Sequence, residues 1–290
     1  MKLSTFSIVA FDAEEDAWGV AVQSKFLAVG AVVPWAKAGV GAVATQSYAN
    51  TAYGPQCLAL MAQGTDAEQA LVQVVAADEG RERRQVGVVD ALGRPATFTG
   101  DECHEWAGGL LGANYAVQGN ILVSEATIEA MARGFELAQG ELADRLVAAL
   151  AAGQAAGGDR RGQQSAAVLV TRPEGGYGGY NDRYMDLRVD DDPAPIERLK
   201  ALVDLHHLFF KPPEPGEMVA VEGDVARELQ RLLRRAGYYD GPVTGNYDAG
   251  TRRALRDLVG NENFEERFDE EQGVISRQVV KVFMARWPGE

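Results

Sequence analysis

The sequence predicts an α+β chain in two parts: a four-layer αββα sandwich, then a small three-helix all-α domain. Three observations carry this expectation. The first forty-six residues hold four short apolar segments with no helical period between them. Beyond them, strand-like segments alternate with pairs of helix-like ones, which suits two sheets stacked face to face with helices outside both. From about residue 222 the apolar period is helical throughout.

The opening segment, Thr5-Phe6-Ser7-Ile8-Val9-Ala10, is rich in β-branched and aromatic residues and reads as a strand. A polar turn from Asp12 to Asp16 leads to a second strand, Trp18–Lys25. Gly30–Trp35 and Gly39–Gln46 are the third and fourth. All four are apolar along both faces, as strands covered on both sides should be.

A turn-rich stretch from Ser47 to Pro55 opens a short helix carrying Leu58, Leu60 and Met61, ended by Gly64. Thr65 or Asp66 caps a second helix with Ala70, Leu71, Val74 and Val75 on its apolar face. Residues 84–90 and 94–99 read as a hairpin turned at Gly93. Trp106–Gly112 reads as a glycine-rich loop and Tyr115–Leu122 as extended. Two helices follow, from a Ser124 cap to about Gln139 and from Glu141 to Ala152, the latter stopped by Gly153. A polar loop, 157–164, feeds a strand at 165–170 whose partner is 183–189, and a helix after Pro193 runs to about Phe210.

Lys211–Glu217 has the composition of a linker. In the tail, Val225, Leu229, Leu232 and Leu233 mark a helix, Asp248 caps a second, and a third covers about Ser276–Ala285. The expected domains are 1–210, a linker at 211–221, and 222–290.

The formal charge is −14. Residues 222–290 hold 11 basic and 13 acidic side chains, leaving 17 and 29 in residues 1–221, so the acidity belongs to the larger part. Such a surface disfavours nucleic acid and anionic membrane as partners. Two cysteines, Cys57 and Cys103, fit a reduced intracellular protein. A Cys57–Cys103 disulfide or a Cys103-His104 nucleophile is the sharper alternative, without a supporting motif. Met1 and Lys2 lead straight into a strand, with no signal peptide and no run of membrane-spanning length, so a cytoplasmic location is expected.

Two resemblances can be named on these residues. Thr5–Ala10, Ala38–Gln46, Arg84–Asp90, Gln118-Gly119-Asn120 and Ala156–Ser165 together resemble an uncharacterised bacterial family, domain of unknown function 1028. That family is placed in the Ntn-hydrolase-like, proteasome-like superfamily, which implies the same αββα sandwich. Leu229-Gln230, Gly237–Gly245 and Thr251–Leu255 resemble a peptidoglycan-binding-like domain.

In Ntn hydrolases the nucleophile is the side chain of the first residue of the mature chain, and its own α-amine is the base. A nearby lysine disfavours a second positive charge on that amine. Carried over, the resemblance puts Thr5 at the nucleophile position and Lys37 close to the lysine's, with Lys25 as the other candidate. Where that family keeps an acid on the second strand, this sequence has Gln23 and Ser24. Thr5 also reads simply as a β-branched strand residue, and Lys37 as a surface lysine at a strand end.

Candidate ligand-binding residues are Gln46, Ser47 and Asn50 after the fourth strand, and Gln85, Gln118 and Asn120, which could line one cleft or satisfy buried backbone. Asp159, Arg161 and Gln164 form the densest polar cluster. An Asp159–Arg161 pair suits a carboxylate-bearing ligand or a loop held by its own ion pair. Asp190-Asp191-Asp192 lacks the spaced partners of a Ca²⁺ site, and His206-His207 lies on an apolar helix. No motif implies a metal or cofactor.

In the chain beginning at Met1, Thr5 is in peptide linkage to Ser4 and has no free amine. In that form the chain is expected to bind a small polar or peptide-like ligand in the former active-site cleft. Removal of residues 1–4 would make it an amide or peptide hydrolase using Thr5. A peptidoglycan- or muropeptide-binding protein is the third reading, and a homodimer fits any of them.

Overall fold

A computed structural model of the chain describes residues 5–214 and 216–289. The chain divides into two units, Met1–Val203 and Asp204–Glu290.

The first unit begins with β1 (Thr5–Asp12), β2 (Ala17–Ser24), β3 (Pro34–Lys37) and β4 (Gly41–Ser47). Helices α1 (Tyr53–Met61) and α2 (Ala67–Ala76) follow, then β5 (Arg84–Asp90), β6 (Pro95–Thr99), β7 (Gly108–Gly112) and β8 (Tyr115–Asn120). After α3 (Ala126–Leu137) and α4 (Leu142–Ala155) come β9 (Ser165–Thr171), β10 (Arg183–Val189) and α5 (Pro195–Phe210). One antiparallel sheet has the order β10-β9-β2-β1-β8-β7 and the other β3-β4-β5-β6.

Three buried clusters mark the layers. Phe6, Ile8, Met131, Phe135 and Leu146 fill the space between the larger sheet and α3/α4. Val43, Val86, Val88, Cys57 and Leu71 fill that between the smaller sheet and α1/α2. Val9, Val20, Val22, Ala42, Ala44 and Val89 lie between the sheets. The unit is the expected αββα sandwich: the inner strands β1, β2, β4, β5, β8 and β9 are buried on both faces along most of their length, the edge strands β3, β6, β7 and β10 only in part, and side-chain parity decides which layer each residue serves.

Several elements differ from expectation. The third apolar segment, Gly30–Trp35, begins in a 3₁₀ turn, Val29–Ala31, and only Pro34 and Trp35 are strand, at the start of β3. Buried Val29 and Val33 face the core from this turn and the residues after it, a pattern that apolarity alone does not separate from a strand. The glycine-rich 106–112 stretch holds an edge strand, because pairing with β8 from Gly108↔Gly119 to Gly112↔Tyr115 supplies its backbone bonds. Ser124 does not cap α3 by its side chain; Glu125 stands at the cap position. Gly153 does not stop α4 but lies inside it, packed flat against Met131, and the helix runs on to Ala155. Asp66 caps α2, its carboxylate accepting from Gln69 N at 2.8 Å.

The second unit holds β11 (Met218–Ala220), α6 (Gly223–Arg235), α7 (Ala249–Asn261), β12 (Phe268–Asp269), β13 (Val274–Ser276) and α8 (Arg277–Arg286). Leu229, Leu232, Leu233, Leu255, Leu258 and Phe283 form its core. To the three expected helices the structure adds a small sheet of order β11-β13-β12. The expected linker at 211–221 is therefore partly strand, with Pro215 outside the described residues. The division falls inside α5, because Leu208 and Phe209 belong to the second core.

Arg267 fixes the start of this unit. Its guanidinium donates to the His207 and Leu208 carbonyls, both at 2.9 Å, capping the end of α5. It also pairs with Glu217 at 3.0 and 3.1 Å. The Ser276 hydroxyl donates to the same carboxylate.

Candidate functional site

Along β1 the odd residues face the smaller sheet and the even ones face the helices. The inter-sheet layer is apolar around Val9 and turns polar towards the start of β1. There Thr5, Ser7, Gln46, Gln85, Gln118 and Asn120 are buried together. Antiparallel register puts Thr5 between Ser24 and Asn120, and Ser7 beside Gln118. From the other sheet, Gln46 pairs with Gln85, which pairs with Thr99.

Hydrogen bonds join these residues across the two sheets. Gln118 Nε2 donates to Ser7 Oγ at 2.6 Å, and Ser7 donates to Gln46 Oε1 at 2.7 Å. Gln46 Nε2 donates to Gln85 Oε1 at 2.8 Å and reaches the Thr5 carbonyl at 3.3 Å. Asn120 Nδ2 donates to the same Gln85 oxygen at 3.0 Å. Gln85 Nε2 in turn serves the Gly119 carbonyl at 2.7 Å and Thr99 Oγ1 at 2.9 Å. Gly87 makes room for this network, since a Cβ there would lie 2.0 Å from Gln118 Oε1.

At the outer end of the layer the Thr5 hydroxyl donates to Ser24 Oγ at 3.2 Å. Ser24 ends β2, and the next residue, Lys25, donates its backbone N–H to Asp159 Oδ2 at 3.0 Å. Asp159 is buried and accepts from the Arg161 backbone at 2.9 Å and from its guanidinium at 3.1 Å. A bridge between Leu122 and Asp159 ties the same loop to the chain just after β8. Gln164 N donates to the Ser24 carbonyl at 3.1 Å and Gln164 Nε2 to Asp191 at 3.0 Å. Lys25, Gln163, Gln164, Asp191 and Asp192 line a depression of about 260 Å³ here. Lys25 Nζ donates to the Gln163 carbonyl at 3.1 Å.

The residues expected from the sequence thus separate into two groups. Thr5, Gln46, Gln85, Asn120, Asp159, Arg161 and Gln164 come together at one end of the sandwich. Lys37 does not: it is exposed and pairs with Gly41, at the end of β4 away from Gln46. Five strand positions separate Gly41 from Gln46, roughly 17 Å.

Ser47 and Asn50 are also apart. With Gln46 turned inward, parity sends Ser47 outward, where its Oγ accepts from Cys103 Sγ at 3.5 Å. Asn50 Nδ2 donates to Asp78 at 3.1 Å, alongside the Tyr53 hydroxyl at 2.9 Å and Arg84 Nε at 2.9 Å. The Arg84 guanidinium holds the Asp78 carboxyl well below the usual carboxylate range. This is a brace behind the smaller sheet. Asp159 and Arg161 form an ion pair within their own loop.

Sequence reasoning gave no role to Ser7 or to Ser24 as the partner of Thr5. Period-two parity from Thr5 through an antiparallel β2 was the signal that could have found Ser24. Gln23, its neighbour, turns to the helix side, and its amide atoms are buried without a hydrogen-bond partner. The two cysteines are free thiols, and burial pushes that of Cys57 up to about 12 and raises that of Cys103. Neither is poised as a thiolate nucleophile near neutral pH.

Residues 5–199 match the model of the family of unknown function DUF1028. Residues 208–283 match a second model, for peptidoglycan-binding-like domains. Among solved structures the chain is similar to protein SPO2555 from Silicibacter pomeroyi, assigned to the same DUF1028 family. That match has 31% identity and a TM-score of 0.64, covering 77% of this chain and 92% of the other. No curated protein matches. The buried polar end of the sandwich therefore lies within the portion that defines the family, and the protein belongs to DUF1028.

Proposed function

We propose that the sandwich is an amide hydrolase of the N-terminal-nucleophile type, acting on small peptide-like substrates at the Thr5 end, and that the C-terminal unit directs it to peptidoglycan-derived peptides. One observation carries the reading. Thr5 opens β1 with its hydroxyl on the inter-sheet face, in a row with Ser24 and Asn120, at the end where an otherwise apolar layer becomes polar.

On this reading, removal of residues 1–4, which lie outside the described residues, frees the α-amine of Thr5. The amine takes the hydroxyl proton as Oγ attacks the substrate carbonyl carbon. The C–N bond breaks, the proton passes to the leaving nitrogen, and water hydrolyses the acyl ester. Lys25 is the lysine candidate at this end, its Nζ on the Gln163 carbonyl, and a cation there would disfavour a second positive charge on that amine. Asp159 positions Lys25 and the 157–162 loop without touching substrate.

The test is turnover of a muropeptide pool by chain beginning at Thr5. Thr5→Ala should abolish it, and Thr5→Ser should retain a measurable part. Equal turnover by Thr5→Ala would overturn the assignment. A second reading, an unprocessed chain that binds a small polar ligand at the same end, is favoured by the complete burial of Thr5 in the full-length form. It predicts saturable binding with no change in the ligand.

A further inference from the structure

The second unit contains a groove of about 720 Å³, a size suited to a small ligand. Three glycine turns form its floor. Gly223 N donates to the Gly245 carbonyl at 2.9 Å, and Val221 N to that of Gly273 at 2.8 Å. Gly245 and Gly273 have φ of +81° and +65°, a region that favours glycine. A Cβ on Gly245 would lie 3.0 Å from Arg227 Cζ, so the guanidinium rests directly over bare backbone.

The walls carry Arg227, Glu222, Asn246, Gln272 and Tyr247. Arg227 is paired with Asp224 at 2.8 Å, but the Asp224 side chain is 97% exposed. An exposed pair of this kind contributes little, so the guanidinium can exchange it for a ligand carboxylate, which it grips with two parallel bonds. Tyr247 is already engaged. Its ring packs on Gly273, the Arg252 guanidinium lies 5.5 Å from its centroid, and its hydroxyl donates to the Glu270 carbonyl. Its ring and hydroxyl are thus both committed to contacts within the unit. What remains is one cation, one carboxylate, two side-chain amides and the Thr244 hydroxyl, the complement of a peptide.

We infer that this groove takes the peptide part of peptidoglycan, with a free carboxylate held by Arg227, rather than the glycan. The inference rests on the reading of this unit as peptidoglycan-directed. It is tested by calorimetric titration of the full chain with a synthetic stem peptide ending in a free carboxylate, its C-terminal carboxamide, and peptide-free glycan strands, beside sacculus pull-down. The carboxamide should bind about tenfold or more weaker, the usual worth of a charged hydrogen bond. Arg227→Ala should lose the same factor and no longer distinguish the two peptides. Asp224→Asn, which releases Arg227, should bind more tightly. Sacculi retained while Arg227→Ala binds normally, or glycan strands bound as well as peptide, would overturn the groove assignment alone. Neither sacculi nor peptide bound would overturn the reading beneath it as well.

Discussion

Gln46 and Ser47 are neighbours in sequence and go to opposite sides of one sheet. Gln46 joins the buried amide network and Ser47 meets Cys103 behind it. Gln85 is the hub of that network: Gln85→Leu removes the acceptor of two buried amides and the donor to the Gly119 carbonyl. Each group left unsatisfied costs about 1–3 kcal/mol. The expected outcome is a lower urea midpoint at an unchanged slope; an unchanged midpoint would mean the network contributes nothing to stability. Gln46, Gln85 and Asn120 were legible as candidates because amides inside apolar strands stand out. The resemblance places Lys37 near Thr5, whereas the β3–β4 register pairs it with Gly41, at the other end of β4 from Gln46. Ser47 and Asn50 were grouped with Gln46 by adjacency, which parity overrules.

Most elements follow from local signals. The 3.6-residue period predicts α2 and α6; of the two cap candidates for α2 it is Asp66 that caps, and Asp248 caps α7 as expected. Tertiary pairing decided the others. The strand β7 exists because β8 lies beside it, and β11 to β13 are two- and three-residue segments without a period of their own. What holds β11 to the end of α5 is the buried Arg267–Glu217 pair. Burial alone would raise the pKa of Glu217, but bonds from Ser276, Glu214 N and Arg267 outweigh it and hold the carboxyl below its ordinary value. A depressed carboxyl contributes stability above its unfolded pKa, about 4.3, and loses it as pH falls through the folded value. The second unit should therefore weaken below about pH 4. Arg267→Ala strands a buried carboxylate and should cost about 3–5 kcal/mol at pH 7 while flattening that acid limb. Denaturation monitored at Trp287 from pH 3 to 7 reads both, and equal acid limbs in the two proteins would contradict this account of the pair.

For the whole molecule, the sandwich was legible because four consecutive apolar strands leave few ways to bury both faces of a sheet. The residues 5–199 that carry it belong to the DUF1028 family, and residues 208–283 match a peptidoglycan-binding-like model. Among the described residues no helix is long and apolar enough to cross a membrane. The chemistry was less legible, because a nucleophile of this type depends on a free amine at Thr5 rather than on a motif. One measurement tests that most directly: the intact mass of the chain as it matures in its host, followed during incubation with muropeptides whose fragments are read in the same run. Loss of the mass of residues 1–4, together with new amide-cleavage fragments, is the expected result. A chain that keeps Met1 to Ser4 and leaves the pool unchanged would contradict Thr5 as a nucleophile for these substrates.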